Sequence, residues 1–364
     1  MPAPAELTRR PALVRRQELL RRALLVVLAL AIAFVFVWVL FAAPTTGKLA
    51  TSFGSAVHDP KDFFITALNS VTLAGLYFVV ASGFTLIFGL MRVVNMAHGA
   101  LFLLGGYIAL KIQRQEVGQG GAFGLTSDQV NLTHWILPAI AATAIIAGAG
   151  LLMQQLFLRW NQGQELRQAL ITIAIAIILS DQMLAHFGGV GEDIAWPRNF
   201  DKFVNIGSTP YTLTRLIILA IAVGVGVLLW LWLNRTRMGI VIRAGVDDRA
   251  MVSALGINIQ LAFAVAFIVG SALAGMGGVI GGSFGSLAPD VGPTWLLYSL
   301  VVVIIGGMGS IGGAVVGSLL LGFVGNFSAA YLPASYTYYS IIFTFALVAV
   351  VLAVRPLGLF GRSA

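Results

Sequence analysis

Four groups of residues have types and spacings that suit chemistry, and all lie within or between apolar stretches. In the first, Asn95 and His98 interrupt the run Gly89-Leu-Met-Arg-Val-Val-Asn-Met-Ala-His-Gly99. An imidazole there can donate to the carboxylate or carbonyl of a passing solute, or it can satisfy a backbone carbonyl near a helix end. The structural role is the favoured one, with Asn95 terminating the preceding helix. In the second, Asp181 is the one acidic residue well inside an apolar segment, followed by Gln182 and His186. An isolated carboxylate at membrane depth requires a partner, so Asp181 either lines a cavity or pairs across a subunit interface. Third, Asn326 is placed to cross-link helices by hydrogen bonds. The fourth group is a polar island, Asn234 to Gln260, in an otherwise apolar chain.

Within that island, Asp247 to Leu255 has the marks of a short amphipathic helix. Asp247 and Asp248 suit its positive N-terminal end, and Gly256 suits the left-handed residue that closes it. Ala250, Met251, Ala254 and Leu255 then share one face. Between two membrane segments, such a helix is a knob for a groove on a soluble partner; an ordinary connecting loop is the plainer alternative.

Other chemistry is excluded or thinly supported. The chain has no cysteine, which removes thiol catalysis, disulfides and cysteine-ligated metals. No Ser-His-Asp grouping, paired carboxylates or metal-ligand spacing emerges, so no catalytic or metal-binding residue is assigned. No Gly-x-x-x-x-Gly-Lys-[Ser/Thr] element exists either, because Gly47-Lys48 is followed by Leu49 and lacks the upstream glycine. This chain cannot bind and split ATP by that route, and Asp181 alone is thin support for proton coupling.

The elements that must position these residues are membrane segments. Apolar residues make up 59% of the 364-residue chain and charged residues 10%, with a mean hydropathy of +0.93. An all-α, polytopic transmembrane bundle is expected. The apolar run 23–42 follows Arg9, Arg10, Arg15, Arg16, Arg21 and Arg22 and reads as an uncleaved anchor helix. Further segments fall at about 63–90, 97–112, 135–158, 168–187, 213–233, 261–283, 295–308, 312–330 and 338–354. That gives nine or ten segments, of which 97–112 and 295–308 are too brief for a straight span and read as broken or re-entrant. Residues 1–62 form an N-terminal extension, and residues 63–364 the main transmembrane domain. Trp196, Trp295, Tyr336, Tyr338 and Tyr339 read as interfacial belt residues.

Charge orients the bundle. With alternating segments and an inside N-terminus, the outer loops hold only Lys48, Lys61, Lys111, Arg114, Arg198, Lys202 and Arg215 of the 22 basic residues. The bias places both termini and the island in the cytoplasm. The net charge of +8 thus reflects topology and contact with anionic lipid, and scattered basic residues argue against nucleic-acid binding.

Glycine patterns mark contacts. Gly270, Ala274, Gly278 and Gly282 recur every four residues and make one nearly bare helix face, where Gly278→Leu should be damaging and Val279→Leu mild. Gly309, Gly313 and Gly317 repeat likewise within Gly306-Gly-Met-Gly-Ser-Ile-Gly-Gly-Ala-Val-Val-Gly317, whose density suits either close packing or a broken helix. Glycine-interrupted segments in both halves of a transporter point to its translocation route.

These runs carry a family resemblance. Asn69 to Gly99, Met238-Gly239 with Ala254-Leu-Gly-Ile-Asn258, the Gly306 stretch and the closing Arg355-Pro-Leu-Gly-Leu-Phe-Gly-Arg362 together resemble the permeases of branched-chain amino acid ABC importers. The resemblance covers about residues 63–362 in order and is nearer to the first of the two homologous membrane subunits. It implies a bacterial cytoplasmic-membrane importer with a heterodimeric pore and a periplasmic solute-binding protein. Two cytoplasmic ATPases would use ATP and Mg, leaving this chain without a cofactor. On that reading Arg243, Asp247, Asp248, Arg249, Met251, Leu255 and Gly256 contact an ATPase. Asn95, His98, Gly99, Asp181, Ser310 and Asn326 belong to the substrate pathway. Met96 stands where many members have Phe, and Gly312 where many have Pro, which leaves the solute open: urea and short amides are imported within the same family. A stand-alone carrier or channel, and a membrane enzyme or assembly factor, are the remaining alternatives.

Overall fold

The computed structural model describes residues 60–118, 129–200, 202–206, 209–332 and 337–361. The apolar run 23–42 and the Arg-rich stretch before it lie outside these residues. The nine later segments are all helices: α1 (Pro60–Met91), α2 (His98–Glu116), α3 (Thr133–Met153), α4 (Glu165–Phe187), α5 (Leu213–Arg235), then, after the short helices α6 (Arg237–Asp247) and α7 (Arg249–Ala254), α8 (Ile259–Phe284), α9 (Val291–Gly306), α10 (Ile311–Tyr331) and α11 (Ser340–Val354). Six of the described helices are long and apolar enough to cross a membrane. Strands β1 (Phe203–Ile206) and β2 (Thr209–Thr212) form a small antiparallel hairpin before α5.

α1 is the axis. Its 32 residues extend about 48 Å, and its most apolar window is 78% buried against 11% for α4. α5, α8, α9 and α10 pack round it, while α2 lies against α8 and α9. α3 packs on α2 and α8. α1 stops where Arg92 takes a left-handed backbone (φ 53°), which a helix of L-residues cannot continue.

The two short segments begin in the middle of the bundle. His98 at the head of α2 bonds Val80, and Trp295 near the head of α9 has its ring centroid 5.5 Å from that of Tyr77. Both partners sit close to the midpoint of α1. The connections 92–97 and 285–290 therefore run into the bundle from opposite ends, as expected of broken segments. Trp295 corrects the belt reading, since it stacks on Phe102 at 4.8 Å inside the bundle. Trp196 instead stacks on Trp135 near the start of α3 and donates to Ser283 O at 2.6 Å.

Glycine sets the closest helix approaches. A Cβ on Gly278 would fall on the Phe102 carbonyl of α2, one on Gly105 would lie 2.6 Å from Gly275 Cα, and one on Gly270 2.8 Å from Gly83 O of α1. The α8 stripe thus serves two neighbours, with Ala274 fully buried between them. Val279 is not the tolerant position expected one step round the helix: it is 1% exposed and packs with Val80 and Phe102. The second glycine region is both a break and a seam. α9 ends at Gly306, Gly307 and Gly309 turn the chain at φ 99° and 81°, and Gly313 and Gly317 then lie against Gly306 and Val302 of α9.

Candidate functional site

Three of the sequence motifs converge at one end of the bundle. Gly89 near the end of α1 meets Gly309, whose added Cβ would lie 3.1 Å from Val246 Cγ1 at the end of α6 and 3.2 Å from Gly89 Cα. The closing motif joins them, with Leu359 N and Phe360 N each donating at 2.9 Å to the carbonyls of Ile305 and Gly306. Backbone lies against backbone where Gly89 meets Gly309, and α6 reaches that contact through the Val246 side chain.

The island is attached to this junction and contains a helix that the sequence did not disclose. Thr236 Oγ1 accepts from Gly239 N at 3.1 Å and starts α6, a threonine cap that was legible before an Arg-Met-Gly run. Asp247 is therefore the last residue of α6 and not part of the N-terminal end of the knob. Asp248 fills that place, with Oδ1 accepting from Met251 N at 3.0 Å. Gly256 has φ 78°, as its position required. In α7 and its cap, Val252 is 3% exposed and faces the bundle, while Met251 and Leu255 are 60% and 70% exposed. Arg243 on α6 donates to Asn234 Oδ1 at 2.6 Å. Arg249 is the first residue of α7.

The mid-bundle group is enclosed. His98 is fully buried, donates from Nε2 to Val80 O at 3.0 Å, and meets the Phe84 ring edge-on. Asn95 does not terminate α1, since Arg92 already does so. Instead its Oδ1 accepts from Ala97 N at 3.1 Å and its carbonyl from His98 N, opening the turn into α2. Thr172 of α4 holds this segment by accepting from Met96 N at 3.2 Å, a contact with no local sequence signal. Gly99 lies against Gly292, so the N-termini of α2 and α9 touch backbone to backbone. Asn95 Nδ2 and His98 Nδ1 are buried, with no hydrogen-bond partner among the described residues.

The remaining expected residues are dispersed. Asp181 is exposed on the outer face of α4, and His186 Nδ1 bonds Gln182 O rather than the carboxylate. Ser310 caps α10 by accepting from Gly313 N at 3.0 Å. Asn326 Nδ2 donates to Thr66 O at 2.9 Å and Ser70 Oγ at 3.0 Å, tying α10 to α1. A groove of about 600 Å³ opens between α1, α5 and α10. Gly309 and Gly312 line it, but Asn95, His98 and Asp181 do not. Sequence reasoning also missed the ion pair between Arg114 and Glu192 and the bonds from Gln113 to His134 O and Ala195 O, all of which fasten the end of α2.

Residues 66–352 match the family described as the permease component of the branched-chain amino acid transport system. The chain belongs to this permease family. The high-affinity branched-chain amino acid transport system permease protein LivH of Escherichia coli K12 is 30% identical over 310 residues, covering 82% of this chain and 96% of the relative. The corresponding protein BraD of Pseudomonas aeruginosa is 29% identical over 303 residues, covering 81% and 94%. A probable branched-chain amino acid transport permease protein LivH of Methanocaldococcus jannaschii is 22% identical over 301 residues, covering 80% and 91%. No solved structure matches the chain significantly. The permease is thus a multi-pass membrane subunit of a transport system and not an enzyme.

Proposed function

We propose that this permease is one membrane subunit of an ATP-driven importer in a bacterial cytoplasmic membrane, carrying a branched-chain amino acid or a similar small solute. The carrying observation is the knob, α7 with its Gly256 cap, which turns Val252 inward and presents Met251 and Leu255 to the outside. Two large apolar side chains held out on a short capped helix between spans have the form of an anchor for a partner's groove. An ATPase suits that place because this sequence has no nucleotide-binding loop of the Gly-Lys-[Ser/Thr] kind. The names of the relatives support the solute class.

On this reading residues 63–364 are the transport domain and 1–62 an extension. The basic bias puts both termini and the knob in the cytoplasm. A homologous second permease subunit completes the pore. Two ATPases bind ATP and Mg, and a periplasmic protein delivers the solute. Asn95, His98 and Gly99 lie where the half-helices α2 and α9 begin, and their N-terminal dipole ends suit a solute carboxylate once the pore opens between the subunits. Asp181, on the outer face of α4, suits a contact with the second subunit.

Leu255→Asp tests the proposal, because a carboxylate cannot enter an apolar contact without a partner. The variant should keep its thermal stability in detergent, lose the co-purifying ATPase and lose ATP-dependent uptake. Undiminished uptake with the ATPase still attached would reject the assignment.

A further inference from the structure

We propose that the groove between α1, α5 and α10 holds an acyl chain of an anionic phospholipid, with the headgroup phosphate against Arg243. The walls are apolar: Val71, Ala74 and Phe78 of α1 face Leu219, Val223 and Val227 of α5, and Thr85 and Ser318 are among the few hydroxyls on the lining. Val223 and Val227 are 58% and 51% exposed, so the groove is open along its length. At one end this lining gives way to Asn234 and Arg243, the latter exposed and oriented by its bond to Asn234 Oδ1. Arg235 and Arg237 flank that mouth in sequence and are also exposed. An apolar slot ending in a guanidinium matches an acyl chain ending in a phosphate.

The dimensions suit a lipid chain. From Leu219 to Asn234 the wall helix α5 rises about 22 Å, enough for one leaflet's hydrocarbon of about 15 Å plus the glycerol region. The groove offers about 600 Å³. A single hydrocarbon chain, with carbon contacts near 4 Å, fits within it.

The experiment is native mass spectrometry of the permease purified from membranes with its co-purifying subunits, after exchange into detergent containing phosphatidylglycerol or phosphatidylethanolamine. Wild type should retain phosphatidylglycerol in preference to phosphatidylethanolamine. Arg243→Gln should lower phosphatidylglycerol retention about fivefold, as expected for one basic residue at a phosphate, and phosphatidylethanolamine retention less, because its ammonium already offsets its phosphate. Val223→Trp, which fills the slot, should reduce both. Equal retention of phosphatidylglycerol by wild type and Arg243→Gln, or unaltered retention by Val223→Trp, would overturn the proposal. These readouts need neither ATP nor uptake, so their failure would leave the importer assignment standing, and the reverse also holds.

Discussion

Gly278→Ala is the smallest change that tests whether backbone contact holds the bundle together. The added methyl would fall on the Phe102 carbonyl and 3.0 Å from Gly106 N, both backbone atoms of α2. Neither can rotate aside, so α2 and α8 must separate by something like 1 Å. The same seam contains the Gly105–Gly275 contact, and a gap of 0.5–1 Å forfeits a quarter to a half of the dispersion energy of each atom pair along it. Overpacking of this kind costs about 1–3 kcal/mol. Helix propensity opposes the loss, since alanine is favoured over glycine by about 1 kcal/mol. Gly224→Ala isolates that opposing effect, because a Cβ at Gly224 of α5 meets nothing within 4 Å among the described residues. Thermal unfolding of the purified proteins in one detergent should therefore show Gly278→Ala destabilised and Gly224→Ala unchanged or slightly stabilised. Equal melting of the two variants would refute the argument that glycine is required at the α2–α8 seam.

Two further outcomes follow from particular bonds. Exchanging the partners of the Arg114–Glu192 pair as Arg114→Glu with Glu192→Arg should recover much of the stability lost in either single variant; this partly exposed pair is worth about 1 kcal/mol, and a double-mutant cycle on thermal stability with no coupling would show that the pair contributes nothing. Asn326→Leu removes two donor contacts from α10 to α1 and should lower stability by about 1–2 kcal/mol; an unchanged melting profile would mean that this cross-link is not a strut.

The fold was legible where the physics is local. Runs of about twenty apolar residues had to become helices because lipid satisfies no backbone hydrogen bond, and the two brief runs had to start or stop inside the bundle. Gly256 was legible because a cap after a short helix calls for a left-handed residue. What escaped was decided by neighbours. Val279 looked tolerant because a four-residue glycine stripe suggests one packed face, yet α1, α2 and α3 all pack on α8. Trp295 looked interfacial because it stands near a segment end, but that end lies beside the midpoint of α1. Asp181 looked interior because apolar residues flank it, although α4 turns most of its surface outward. Asn95 was read as the end of a helix because nothing in Gly-Leu-Met-Arg announces that Arg92 will adopt φ 53°.

The same dependence on neighbours bears on how motion would pass through the permease under the proposed function. The knob is joined to α6, and α6 reaches the bundle through Gly245 and Val246. Gly245 packs on Leu90, and Val246 on the Gly89–Gly309 contact. Gly89 lies on the axial helix, and Gly309 on the turn joining α9 to α10. A displacement of α6 is therefore delivered at once to α1, which runs past the heads of α2 and α9, and to the hairpin whose first arm is α9. Both routes lead to the Gly99–Gly292 contact at mid-bundle. That contact has no side chain to yield, so an opening there must separate the two half-helices as rigid rods rather than rotate a gate residue. Under the proposed function the glycines at 89, 99, 292 and 309 would form the mechanical part of the route, and the charged residues of the island would orient the partner that drives it.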